Sequence, residues 1–136
     1  MKFNHLVQVK SFEVSSRAIF GHQTQRIHEA KAKILINGEN RHLVAEGPGL
    51  AESIMNVLKE MFKGFSGVDG IIGCNCNLSD LGSIGQYERR FKADVTLTRL
   101  NMKEELREQG FYQDETSAIF FTMLKMFFSI VSREGC

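Results

Sequence analysis

A unit that occurs twice constrains the fold of this chain more than any other feature. In the first copy an alternating strand, Ala30-Lys31-Ala32-Lys33-Ile34-Leu35-Ile36, leads to a shorter strand, His42-Leu43-Val44-Ala45-Glu46. A glycine turn, Gly47-Pro48-Gly49, then opens a helix carrying Leu58-Lys59-Glu60-Met61-Phe62. The second copy runs from Phe91-Lys92-Ala93-Asp94-Val95-Thr96-Leu97 through a charged segment to Gly110, then to a helix carrying Leu124-Lys125-Met126-Phe127-Phe128. The expected class is α+β, a single domain over residues 1–136 made of two pseudo-repeated βββα units, about 5–65 and 68–132. Antiparallel sheets carry the helices packed on one face, with both helices expected on the same side of one continuous sheet. Their N-termini then fall in equivalent places about a pseudo-twofold axis.

The strands follow from parity. In residues 6–15, Val7 and Val9 share one face, whereas Phe12 and Val14 fall on the other. A bulge near Lys10-Ser11 brings both pairs to the core. Residues 16–25 hold Gly21 and few apolar side chains and read as a loop. In residues 26–36, Ala32, Ile34 and Ile36 oppose Lys31 and Lys33, and Asn37-Gly38-Glu39-Asn40 signals a hairpin. Residues 68–78 read as a strand, 81–86 as a loop, and 87–100 as the clearest alternation in the chain. Residues 101–109 favour a helix by composition and a return strand by position in the repeat; the strand is the expectation adopted.

The first helix, about residues 50–63, places Leu50, Ile54, Val57, Leu58, Met61, Phe62 and Phe65 on one stripe and Glu52, Asn56, Lys59, Glu60 and Lys63 on a wet face. The second, about residues 115–132, has only a narrow polar stripe of Thr122, Lys125, Ser129 and Ser132. Leaving its other faces in water exposes a large apolar patch. A homodimer with this helix near its interface is therefore expected, against the alternative of a monomer whose two helices cover each other.

Size and charge bound the function. The 136 residues carry a net charge of +1 with scattered Lys and Arg, which argues against a nucleic-acid partner. The start shows no apolar signal region, and residues 118–131 read as too short a stretch to cross a bilayer, so a cytoplasmic protein without membrane contact is expected. Cys74, Cys76 and Cys136 form neither a disulfide framework nor a metal-ligand pattern, so no metal or other cofactor is expected. Ser15, Ser16, His22 and His28 lack the spacing of a nucleophile elbow, and Gly82-Ser83-Ile84-Gly85 lacks the lysine of a phosphate loop. No catalytic residue is assigned.

From Glu46-Gly47-Pro48-Gly49-Leu50-Ala51-Glu52-Ser53 onward the chain resembles the C-terminal regulatory (dimerisation) domain of alpha-isopropylmalate synthase and its citramalate and homocitrate synthase relatives. That domain opens its first helix, after a β-hairpin, with an acidic-Gly-x-Gly-Pro-Val-Asp-Ala type motif; Glu46, Gly47 and Gly49 fit it, and Leu50, Ala51, Glu52 and Ser53 depart from it. A second signature, Gly-x-x-x-Asp before a helix, is met by Gly110-Phe111-Tyr112-Gln113-Asp114 with Ser117-Ala118 following. The barrel that normally precedes this domain is missing from the sequence. The resemblance implies a twofold dimer and allosteric feedback sensing of the kind that regulates leucine biosynthesis, with a separate synthase subunit as a further partner, and not acyl-CoA condensation by this chain.

A helix N-terminus presents unpaired N–H groups and partial positive charge, which suit an amino-acid carboxylate. Gly47 and Gly49 allow close approach, and Leu50, Phe111 and Tyr112 supply apolar lining. Gly110 and Asp114 complete the candidate ligand-binding set: Gly47, Gly49, Leu50, Gly110, Tyr112 and Asp114. Each has a plainer reading: Gly47-Pro48-Gly49 as a strand-to-helix turn, Asp114 as an N-cap. Two functions follow: a module binding a branched-chain amino acid or related small acid, its two helix starts walling one pocket, or a dimerisation and interaction scaffold with no small-molecule ligand.

Overall fold

The computed structural model describes residues 7–21, 23, 25–36, 38–83, 90–100 and 105–134. The element order is β1 (Val7–Ile19), β2 (Gln25–Ile36), β3 (Glu39–Gly47), α1 (Leu50–Met61), α2 (Ser66–Asp69), β4 (Ile71–Gly82), β5 (Arg90–Arg99), β6 (Leu106–Tyr112) and α3 (Glu115–Glu134). The strands make two antiparallel three-stranded sheets, β1-β2-β3 and β4-β5-β6, each followed by a helix: two βββα units in an α+β fold. The single continuous sheet of the sequence reading is replaced by two sheets.

The repeat is visible in what each half buries. Alternation turns Ala30, Ala32 and Ile34 of β2 inward; 63 residues later Ala93, Val95 and Leu97 of β5 are buried in the same way. In α1 the buried positions, with the capping Phe62, are 53, 54, 55, 57, 58, 61 and 62; the positions 65 residues later are all buried in α3. Helical spacing sets this face, since positions three and four apart stack on one side. The register differs from the sequence reading. Ala30 corresponds to Ala93 rather than Phe91, and Leu58 to Met123 rather than Leu124. Gly110 lies inside β6, opposite Ala93, in the place that Ala45 holds opposite Ala30. It is not the turn before the helix.

Other expectations meet their test in the ladders. The β1 register shifts between Val9 and Ser11, so Val7, Val9, Phe12 and Val14 all pack toward the core. Residues 16–19 and 25 belong to strands rather than to a loop, because β1 continues to Ile19 and β2 starts at Gln25. Val68 belongs to α2 rather than to a strand, and it is fully buried. The return strand of the second unit starts at Leu106; residues 101–104 lie outside the described residues. Gly38 takes φ +84° in the predicted hairpin, a conformation glycine reaches without a Cβ penalty.

Each helix lies on its own sheet and reaches the other. Phe120 of α3 stacks on Phe12 of β1, ring centroids 3.8 Å apart and 11° from parallel. Lys59 of α1 donates from Nζ to the Ile71 carbonyl of β4 at 2.7 Å, and Phe62 meets Phe127 and Phe128 of α3. This crossing explains why α3 is apolar almost all round. Ile119, Phe120, Met123, Leu124, Met126, Phe127, Ile130 and Val131 are buried within one chain. Thr122 is buried with them and does not belong to the wet stripe, which runs through Phe121, Lys125, Ser129 and Ser132. The apolar surface that pointed to a dimer along α3 is thus covered by the chain's own fold. By length and composition alone α3 is long enough to cross a membrane, unlike the shorter stretch considered in the sequence; its burial accounts for its apolarity.

Candidate functional site

The six sequence-predicted residues fall into two groups, one at each helix start. At α1, Gly47 closes β3 opposite His28, and a Cβ there would lie 2.6 Å from the Ser53 backbone nitrogen. The glycine lets the first turn of α1 descend onto the strand that feeds it. Gly49 is the N-cap, in extended conformation and with no side-chain cap. Glu52, three residues on, folds back so that its carboxylate lies over Gly49. It brings negative charge to the positive end of the helix, as the third residue of a capping box does. Ser53 donates from Oγ to the Leu50 carbonyl at 2.8 Å, and Leu50 packs half-buried against the core.

At α3, Asp114 accepts from the Ser117 N–H at 2.7 Å through Oδ1 and from the Ser117 hydroxyl at 2.8 Å through Oδ2. It is an N-cap, the plainer of its two readings, and its exposed carboxylate keeps further lone pairs free for a second donor. Tyr112 ends β6 half-buried, its ring centroid 5.3 Å from that of Phe121. Gly110 lies under Thr122: a Cβ at this position would strike Thr122 Oγ1, a buried hydroxyl without a hydrogen-bond partner. Its role is close strand-to-helix packing, and it offers no backbone to a ligand at the helix start.

One residue of each group lines a cavity, and the two cavities differ. Asp114 lines a cavity of about 400 Å³ between β1 and α3, together with Thr116, Ser117, Phe120 and Phe121 from the helix and residues 9–14 from the bulged strand. Gly47 and Pro48 line another, of about 520 Å³, in the notch where β3 ends and β2 runs on, with Gln25, Arg26, Ile27 and Glu46. Among the described residues, neither of these two cavities is walled by both helix starts. The β1–α3 cavity has the better chemistry. It sets the Asp114 carboxylate and the hydroxyl residues Ser11, Thr116 and Ser117 against Phe12, Phe120 and Phe121, and it carries Lys10 and Glu13 from β1. Its volume lies in the range of small-ligand sites.

The sequence reading missed the strand side of this cavity. The bulge at Lys10-Ser11 was visible in the parity switch, but nothing local tied β1 to a helix more than a hundred residues away.

Other titratable groups mark structure. Asp94 accepts both Arg107 Nε and Nη2 at 3.0 Å on the outer face of the second sheet, and that bond holds its carboxyl below the usual range. Burial pushes the Cys74 and Cys76 thiols up to about 11, reinforced for Cys74 by Glu52 and for Cys76 by Asp94 and then Glu52. Such thiols are poor nucleophiles at neutral pH. His28 keeps a buried Nδ1 without a hydrogen bond, and His22 lies outside the described residues. Among the described residues no group of three His, Cys, Asp or Glu side chains is placed to hold a metal ion. Compared with known proteins, the sequence matches no protein-family model and no curated protein.

Proposed function

We propose that this chain is a regulatory module that binds a small α-amino acid, of the branched-chain type, in the cavity between β1 and the start of α3. One observation carries the reading: a single cavity of ligand size combines an exposed carboxylate, hydroxyls and an aromatic wall. Asp114 is the partner for an α-ammonium group, Lys10 supplies the positive charge for an α-carboxylate, and Phe12, Phe120 and Phe121 receive an apolar side chain. Tyr112 supports the site through Phe121. Gly47, Gly49 and Leu50, at the other helix start, take no part in this pocket within the same chain. The resemblance to the synthase regulatory domain suggests the readout: a cytoplasmic homodimer that passes occupancy to a separate synthase subunit and performs no catalysis itself.

Isothermal titration with leucine, isoleucine and valine tests this reading. Saturable heat that disappears in Asp114→Asn supports it. Neither heat nor thermal shift at millimolar ligand removes the amino-acid class.

A second reading has its own observation. Both helix starts already face a carboxylate of the chain, Glu52 in one half and Asp114 in the other. A scaffold that binds no small molecule needs nothing more. Stoichiometric capture of a protein partner by a chain silent to all three amino acids favours it.

A further inference from the structure

The internal repeat relates the β1–α3 cavity to a matching place between β4 and α1. The ladders fix the correspondence: Val9 pairs with Ile34 as Cys74 pairs with Leu97, and Phe12 pairs with Ala32 as Cys76 pairs with Val95. On the helices, Asp114 corresponds to Gly49 and Ser117 to Glu52, each 65 residues apart. The two places are filled differently. In the first, Ser117 is short and bonded to Asp114, and the cavity stands open beside it. In the second, the Glu52 side chain lies back over Gly49, and its charge is felt by both Cys74 and Cys76 across on β4. The carboxylate thus lies over Gly49, the position that corresponds to Asp114 on the wall of the open cavity.

We infer that the size of the residue three positions after each N-cap decides which of the two pseudo-equivalent pockets is open: Ser117 leaves the β1–α3 cavity free, and Glu52 fills its counterpart. The identification of the open cavity as an amino-acid site rests on the reading above; the control of access by Glu52 does not. A glutamate suits that position in a helix, where it faces partial positive charge, so it closes the pocket without harm to the fold.

Three variants of the full chain test this. Glu52→Ser empties the closed pocket and exposes the thiols that line it. Glu52→Gln removes the charge and keeps the bulk. Labelling by a maleimide at neutral pH, with Cys74 and Cys76 resolved by peptide mass mapping, is expected to quicken at least about tenfold in Glu52→Ser and to stay within about twofold of the parent chain in Glu52→Gln. Equal rates in the two variants overturn the inference. Ser117→Glu is expected to abolish the leucine titration in a chain that still unfolds cooperatively. Unchanged leucine affinity in a folded Ser117→Glu chain also overturns it. A parent chain that binds no amino acid, with labelling as expected, removes the amino-acid reading and supports control of the pocket by Glu52.

Discussion

The two halves of this protein bury the same positions and differ in the side chains that flank each helix start. In α1 and α3 the inward faces match over seven positions, although the residue is the same in only three pairs, Ile54 and Ile119, Met61 and Met126, and Phe62 and Phe127. Burial pattern, set by helical and strand periodicity, outlasts sequence identity because a core accepts many apolar side chains of similar volume. The flanks follow no such rule. One half caps its helix with Asp114 and leaves a cavity against Phe12; the other caps with Gly49, turns Glu52 inward and sets two cysteines where the first half has Val9 and Phe12. Core positions report the fold, and departures from the repeat report the site.

Truncating the matched isoleucine pair gives the largest effect. Ile54→Ala and Ile119→Ala remove equivalent, fully buried side chains, and each is expected to cost about 2–5 kcal/mol in urea unfolding. Values within about 1 kcal/mol of each other support equivalent halves. A full loss at one and little change at the other breaks the comparison.

Strand-to-helix contact comes next. Gly110→Ala forces a methyl against Thr122 Oγ1 and is expected to cost about 1–3 kcal/mol. Thr122→Ala clears the space and removes an unbonded hydroxyl, so the double variant should recover most of the loss in a double-mutant cycle. Additive effects contradict the contact.

The caps separate the halves at a smaller scale. Asp114→Ala loses both bonds to Ser117 and is expected to cost about 0.5–2 kcal/mol. Gly49→Ala adds a methyl to extended backbone beside a flexible glutamate and should stay within about 0.5 kcal/mol of the parent chain.

A pH effect centres on the two thiols of the second half. Burial raises both thiols from 9.0 to about 11, whereas the unfolded chain ionises near the lower value. The unfolded state then binds fewer protons above that pH, so stability is whole below pH 9 and falls as pH rises toward 11. Cys74→Val with Cys76→Val should flatten this alkaline slope in thermal melts; an unchanged slope assigns it to other groups.

Periodic features were legible in the sequence and positional ones were not. The α1 stripe, the alternation in β2 and β5 and the bulge at Lys10-Ser11 all follow from the spacing of apolar residues. Gly110 misled because a glycine before a helix reads equally as a turn and as a close contact; only its pairing with Ala93 distinguishes them. Thr122 misled for the same reason, since its burial depends on the room Gly110 leaves above β6. The cavity itself was out of reach, because it joins β1 to α3 through a tertiary crossing that no local pattern encodes.

A leucine titration followed by amide chemical shifts tests the central claim most directly. The largest perturbations are expected along residues 9–14 and 114–121, with little change across the counterpart at residues 49–56 and 74–78. Perturbations spread equally over both places, or confined to the second, contradict the assignment of the open pocket to β1 and α3.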